Sequence, residues 1–283
     1  MFALLALLSA VSYGAADFIG GLTTKRAGTL AVVVISQLSG LLLLLVMLPV
    51  LPDAAPTRRD YMWGAVAGLT GGAGVALLYR ALAIGVMAVV APTTAVCAVA
   101  IPVLVAIGLG ERPEPMTIGG IALALVAIAL VSQSDHPEPE PRGVHSRSGV
   151  SAFSLALLAG VIIGLFFVAL ARTSSEAGLW PLVAARVVSV TLFTALATAT
   201  SQPVLVPSSV LGLVVTGGIL DMLANLLYLL ATRSGPLSVV VTLASLYPAS
   251  TVLLARLVLH ERLSSRQWVG IGCALMAVMA IVG

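Results

Sequence analysis

Residues 235–283 read GPLSVVVTLASLYPASTVLLARLVLHERLSSRQWVGIGCALMAVMAIVG, and a version of this stretch has already occurred at 85–133 as GVMAVVAPTTAVCAVAIPVLVAIGLGERPEPMTIGGIALALVAIALVSQ. The two align without a gap and agree at 12 of 49 positions: Gly85, Val89, Val90, Leu104, Leu109, Glu111, Arg112, Gly120, Ile121, Ala124, Leu125 and Ala127. Apolar sequence matches itself often, so most of these identities carry little weight. The Glu111-Arg112 pair falling on Glu261-Arg262 carries more, because only 9% of the chain is charged. The same offset places Gly14 on Gly164, Gly28 on Gly178, Ser39 on Ser189 and Gly68 on Gly218. Self-similarity at a fixed offset marks a duplicated unit. The expected domains are a first repeat over 1–133, a polar linker over 134–150 and a second repeat over 151–283.

Composition sets the class. The chain is 60% hydrophobic, with a mean hydropathy of +1.14, whereas a soluble domain is closer to half apolar and a quarter charged. Its apolar residues come in runs long enough to cross a bilayer as helices. Ten spans are expected, at about 2–22, 28–51, 61–82, 87–109, 116–133, 151–171, 178–200, 208–231, 237–259 and 266–283. No basic segment precedes the first, so it reads as a retained helix and not as a cleaved secretory signal. The net charge of +3 is spread over short loops, which argues against nucleic acid as a partner. Cys97 and Cys273 sit inside apolar runs and read as small buried residues. The linker, rich in Pro and charge, resists a packed core, and its His136 and His145 read as solvated. No metal or cofactor is expected.

Five spans per half is an odd number, so the second half enters the membrane upside down relative to the first. The expected fold is thus all-α, with ten transmembrane helices as two inverted five-helix repeats. Inverted repeats recur in secondary transporters, with the substrate site near the midplane between the halves.

The residues also resemble a known family. A long apolar helix, then Gly110-Glu111-Arg112 or His260-Glu261-Arg262, then a last Gly-containing helix looks like the EamA family of the drug/metabolite transporter superfamily. Tyr228, Pro248, Glu261, Arg262 and Leu263 match its pattern in the second half. The first half departs, with Ala98 at the Pro position and Pro113 after Arg112. An Arg early in the second helix of each half is common in the family; Arg186 supplies it once, and Ser36 takes the matching place at the 150-residue offset. The resemblance implies a transporter of small metabolites or drugs, acting as an exporter. It also implies peripheral fifth and tenth spans, a site lined by the remaining eight, and both termini cytoplasmic. The distribution of Lys and Arg over the loops leans slightly the other way.

Polar residues inside the spans narrow the site. An ionisable side chain at mid-helix costs roughly 2.5–3.5 kcal/mol on insertion, so it faces a cavity or a partner. Ser9, Tyr13 and Asp17 share one helical face, as do Asp221, Asn225 and Tyr228. Arg186 and Asp221 lie roughly 12 and 15 Å from span ends on the same side, by helical rise, and are placed to pair. Asp17 is a candidate for proton coupling; a hydrogen-bonded structural carboxylate is the alternative. Tyr247 precedes Pro248, where a kink can expose carbonyl groups. The candidate substrate-binding residues are Tyr13, Asp17, Gln37, Tyr79, Arg186, Asp221, Asn225, Tyr228 and Tyr247.

Other features read as structure. Gly64, Gly68, Gly71, Gly72 and Val75 form a small-residue stripe suited to close helix approach. Trp63, Trp180 and Trp268 fall near span ends, as an interfacial belt would. The two Glu-Arg pairs read as orienting the last hairpin of each half. No metalloprotease, nucleophile-elbow, Walker A or Cys-x-x-Cys motif occurs, so transport would be driven by a gradient or by exchange, and the chain is not expected to be an enzyme. The rivals are an intramembrane lipid-modifying enzyme and a non-transporting scaffold. The expected setting is the inner cell membrane, with lipid, a small-molecule substrate and a possible second copy of the chain as partners.

Overall fold

The computed structural model describes residues 1–50, 54–84, 87–131, 152–259 and 264–282. These fold as eleven α-helices and two single 3-10 turns, with no strand among the described residues. The first five helices are α1 (Phe2–Thr24), α2 (Thr29–Met47), α3 (Arg58–Ile84), α4 (Met87–Gly108) and α5 (Pro115–Val131). Then come α6 (Ala152–Ala171), α7 (Trp180–Ala199), α8 (Ser208–Thr232), α9 (Leu237–Ala244), α10 (Tyr247–Leu259) and α11 (Ser265–Val282). Helix is what lipid demands of such sequence, since only internal hydrogen bonds can satisfy the backbone there. Six of them, α1, α2, α3, α6, α7 and α8, are long and apolar enough to cross a membrane. The linker and the Glu261-Arg262 turn lie outside the described residues, so the expected superposition of Glu111 on Glu261 does too.

The ninth span, expected as one helix, is two. The chain turns at Ser245 and Leu246 between α9 and α10. Pro248 supplies the physical reason. It has no N–H to give the carbonyl of Ala244 four residues back, and its ring crowds that carbonyl. The first turn of α10 tolerates it, because that N–H has no helical partner anyway.

Packing repeats itself when the halves are exchanged. α1 packs on α8, and α6 on α3; α2 packs on α8, and α7 on α3; α4 packs on α6, and the α9–α10 pair on α1. α2 meets α7, its own counterpart, and α5 meets α11 away from the centre. Glycines set two of these crossings. A Cβ on Gly68 would lie 2.3 Å from the carbonyl oxygen of Ala185; on Gly218 it would lie 2.3 Å from that of Ser36. Backbone meets backbone there, which only Gly permits.

That pair of crossings corrects the register. Gly68 and Gly218 are 150 residues apart, but the residues they meet, Ser36 and Ala185, are 149 apart. The counterpart of Arg186 is therefore Gln37, and Ser36 does not occupy that place.

Loops close one end of the bundle. Asp60 caps the start of α3, where Thr57 N–H and Oγ1–H donate to its carboxylate at 2.8 and 2.6 Å. The same carboxylate accepts from Ser174 N–H at 2.7 Å and Ser174 Oγ–H at 3.1 Å, across to the loop after α6. Arg233, just past α8, donates to the carbonyls of Ser174 and Gly178 at 3.0 and 2.7 Å. Gly178 has φ +54°, in the left-handed region, which aims its carbonyl without a Cβ penalty. Trp63 and Trp180 sit at this end too, Trp180 edge-on to Tyr61 at 6.3 Å and Trp63 under the Arg172 guanidinium at 6.0 Å.

Candidate functional site

A cavity of about 60 Å³ lies where the two sets of helices meet. It has room for a handful of waters. Its lining comes from α1, α2, α3, α6, α7, α8 and α10. Seven of the nine candidate residues face it: Tyr13, Asp17, Gln37, Arg186, Asp221, Asn225 and Tyr247. Tyr79 and Tyr228 do not. Tyr79 is buried with its ring against Gly20 of α1. Tyr228 is fully buried and donates its hydroxyl to the Phe167 carbonyl at 3.2 Å.

A polar chain crosses the site. Arg186, on α7, forms a salt bridge with Asp221 on α8 and donates to Gln37 Oε1 on α2. Its Nε–H meets Met222 Sδ at 3.3 Å. Asn225 donates from Nδ2 to the Asp221 backbone carbonyl at 2.6 Å and accepts from the Tyr13 hydroxyl at 2.9 Å. Ser189 Oγ–H donates to Gln37 Oε1 at 3.0 Å. Arg186 and Asp221 are almost fully buried, and an ion pair in that setting holds only with additional hydrogen bonds of this kind. Ser9 anchors the start of the α1 stripe by donating to the Ala224 carbonyl at 2.8 Å.

Asp17 is different. It faces the cavity, yet its carboxylate has no hydrogen-bond or ion-pair partner among the described residues. The structural alternative for this residue, a hydrogen-bonded carboxylate near a helix end, thus lacks its bonds.

Some lining residues escaped the sequence reading. Phe166 and Phe167 form an aromatic wall, their rings 5.3 Å apart, with Tyr13 edge-on to Phe167 at 6.0 Å. Ser189 and Met222 also hold the polar chain. Ser189 was reachable, lying one turn beyond Arg186 on the same face. Phe166 and Phe167 were not, being two apolar residues in an apolar run.

The Glu111 carboxylate acts away from the cavity. It accepts from Ser238 N–H at 3.2 Å and from Ser238 Oγ–H at 2.8 Å, capping the start of α9. Gly110, at φ +97°, turns the chain at the end of α4 to bring it there. Glu111 was expected to orient its own half's hairpin; its backbone N–H stays in that half, donating to the Ala106 carbonyl, while its carboxylate reaches Ser238 of the other half.

Three comparisons bear on identity. A search among characterised proteins finds no match. Among 27 solved chains that match, a crystal structure of a protein shares 17% identity, covers 99% of this chain and 95% of its own, and superposes with a TM-score of 0.72. That likeness concerns the fold. The sequence profile of the EamA-like transporter family matches residues 1–133 and again 150–283, so nearly the whole of this multi-pass membrane protein is covered in two parts, and the chain belongs to the EamA-like transporter family.

Proposed function

We propose that the chain is a secondary transporter that exports a small metabolite or drug across the inner cell membrane by alternating access. The observation that carries this is the cavity: charged side chains, costly in lipid, converge where the two family-matched segments meet. The reading includes ten spans in two inverted repeats, over 1–133 and 151–283, joined by a linker. Two contacts favour the inversion. Phe2, opening α1, lies within reach of Gly235 just past α8, and Ser174, just past α6, bonds Arg233 at that same end of α8. The first helix of one half thus starts where the first helix of the other half finishes.

In alternating access the site stays in place while the halves rock about it. The loop cluster around Asp60 and Arg233 would hold one side shut, and release of it would open that side. Gradients or exchange would drive the cycle. The test is flux in proteoliposomes across a panel of metabolites and drugs, with and without a pH gradient. A carrier moves a solute unchanged. Chemical alteration of the solute would support an enzyme instead, and neither flux nor alteration would support a scaffold.

A further inference from the structure

We infer that the cavity takes an organic monocation, an amine or quaternary ammonium with an apolar body, seated with its charge at Asp17. This rests on reading the cavity as the transport site and names the chemistry it selects.

The halves contribute unequally to the cavity. At the 150-residue offset its lining pairs Tyr13 with Ile163, Asp17 with Phe167, Gly71 with Asp221 and Val75 with Asn225. In each pair one member is polar and the other is not. All the polar members lie on α1 and α8; all the apolar members lie on α3 and α6. A duplicated framework thus encloses a two-faced cavity, one wall polar and the other aliphatic and aromatic.

Charge decides what the polar wall wants. The ionisable acids and bases of the lining are Asp17, Asp221 and Arg186. Arg186 is matched by Asp221 and further held by Gln37 and Met222. Two carboxyl groups line the cavity with one guanidinium, and the one left without a counter-cation is Asp17. A carboxylate in an apolar enclosure is costly until a cation meets it. Tyr13, Phe166, Phe167 and Tyr247 also line the cavity, and aromatic rings attract ammonium groups. A zwitterion would need a second, free cation for its carboxylate, and the guanidinium that lines the cavity is already engaged. An anion would meet Asp17 directly.

The test uses the purified full-length protein and three ligands with one phenyl ring and different charge: phenethylamine, phenylalanine and 3-phenylpropionate. Binding is read by thermal shift in detergent and by calorimetry. Phenethylamine should bind, with the other two at least about tenfold weaker. Asp17→Asn should weaken phenethylamine about tenfold or more, while Asp17→Glu should keep most of the affinity. The ligand series on the unaltered protein stands even if Asp17→Asn folds poorly. Equal binding of all three, preference for phenylalanine or phenylpropionate, no binding of phenethylamine, or an unaffected Asp17→Asn would each overturn the assignment. Counterflow in proteoliposomes separates the two readings. Phenethylamine binding without flux would keep the site and remove the transport reading. Phenylalanine flux without phenethylamine binding would do the reverse.

Discussion

At the scale of the residue, the Arg186–Asp221 pair is the most exposed to test. Each charge is tolerable because the other is there. Removing one partner of a buried pair leaves the survivor unmatched, at a cost of about 3–5 kcal/mol. Arg186→Met and Asp221→Leu are each expected to lower the unfolding temperature in detergent sharply, and the double variant less than the worse single. Additive losses in that cycle would mean the two side chains do not depend on each other. Much of this was legible in advance. The spacing of Ser9, Tyr13 and Asp17 assigns a face, and helical rise sets Arg186 and Asp221 at one depth. What a stripe cannot say is what stands opposite it. Tyr228 shares the Asp221 face but meets α6, so its hydroxyl goes to Phe167. Gln37 and Arg186 meet because α2 and α7 cross, and no local pattern in either helix specifies that crossing.

At the scale of the element, the caps and breaks define where each helix begins and stops. Glu111 caps a helix of the other half through Ser238. Loss of a cap costs about 0.5–2 kcal/mol, so Glu111→Ala should destabilise by that order. Ser238→Ala should add little in the Glu111→Ala background, because both act through one contact; independent costs in thermal melts would contradict the cap. The Asp60 cluster makes a functional prediction. Its carboxylate accepts from both Thr57 and Ser174, tying the start of α3 to the end of α6. Asp60→Ala should raise several-fold the labelling of a cysteine placed at Val75 by a membrane-impermeant thiol reagent added from that side, with Cys97 and Cys273 replaced. Unchanged labelling would mean the cluster is not a closure. The helices themselves were readable from hydropathy to within a few residues, apart from the break in the ninth, and six of them are long and apolar enough to cross a membrane. The break between α9 and α10 was foreshadowed by Pro248 only as a kink. A proline marks where a helix weakens; the surrounding packing decides whether it bends or stops.

At the scale of the whole molecule, the two glycine crossings give the sharpest check on the duplicated architecture. Overpacking a tight contact typically costs about 1–3 kcal/mol. Gly68→Ala and Gly218→Ala drive a methyl into the same kind of backbone carbonyl at the same 2.3 Å, so their losses in unfolding temperature should match closely. A harmless change at one and a severe one at the other would show that the crossings are not equivalent. The duplication was visible in the sequence through Glu-Arg pairs and glycines, while the one-residue slip between Gln37 and Arg186 was not, since a gapless alignment of apolar residues has nothing to register it. The unequal walls of the cavity carry a last consequence, and it concerns history. The crossing glycines Gly68 and Gly218 have stayed alike in both copies, whereas four pairs of residues that face the cavity have drifted apart. A side chain at a crossing answers to a neighbouring backbone; one at the cavity answers only to what enters it. Two copies with identical linings would offer a guest two equal seats; with Asp17 answered by Phe167 and Asn225 by Val75, the present copies offer two different ones.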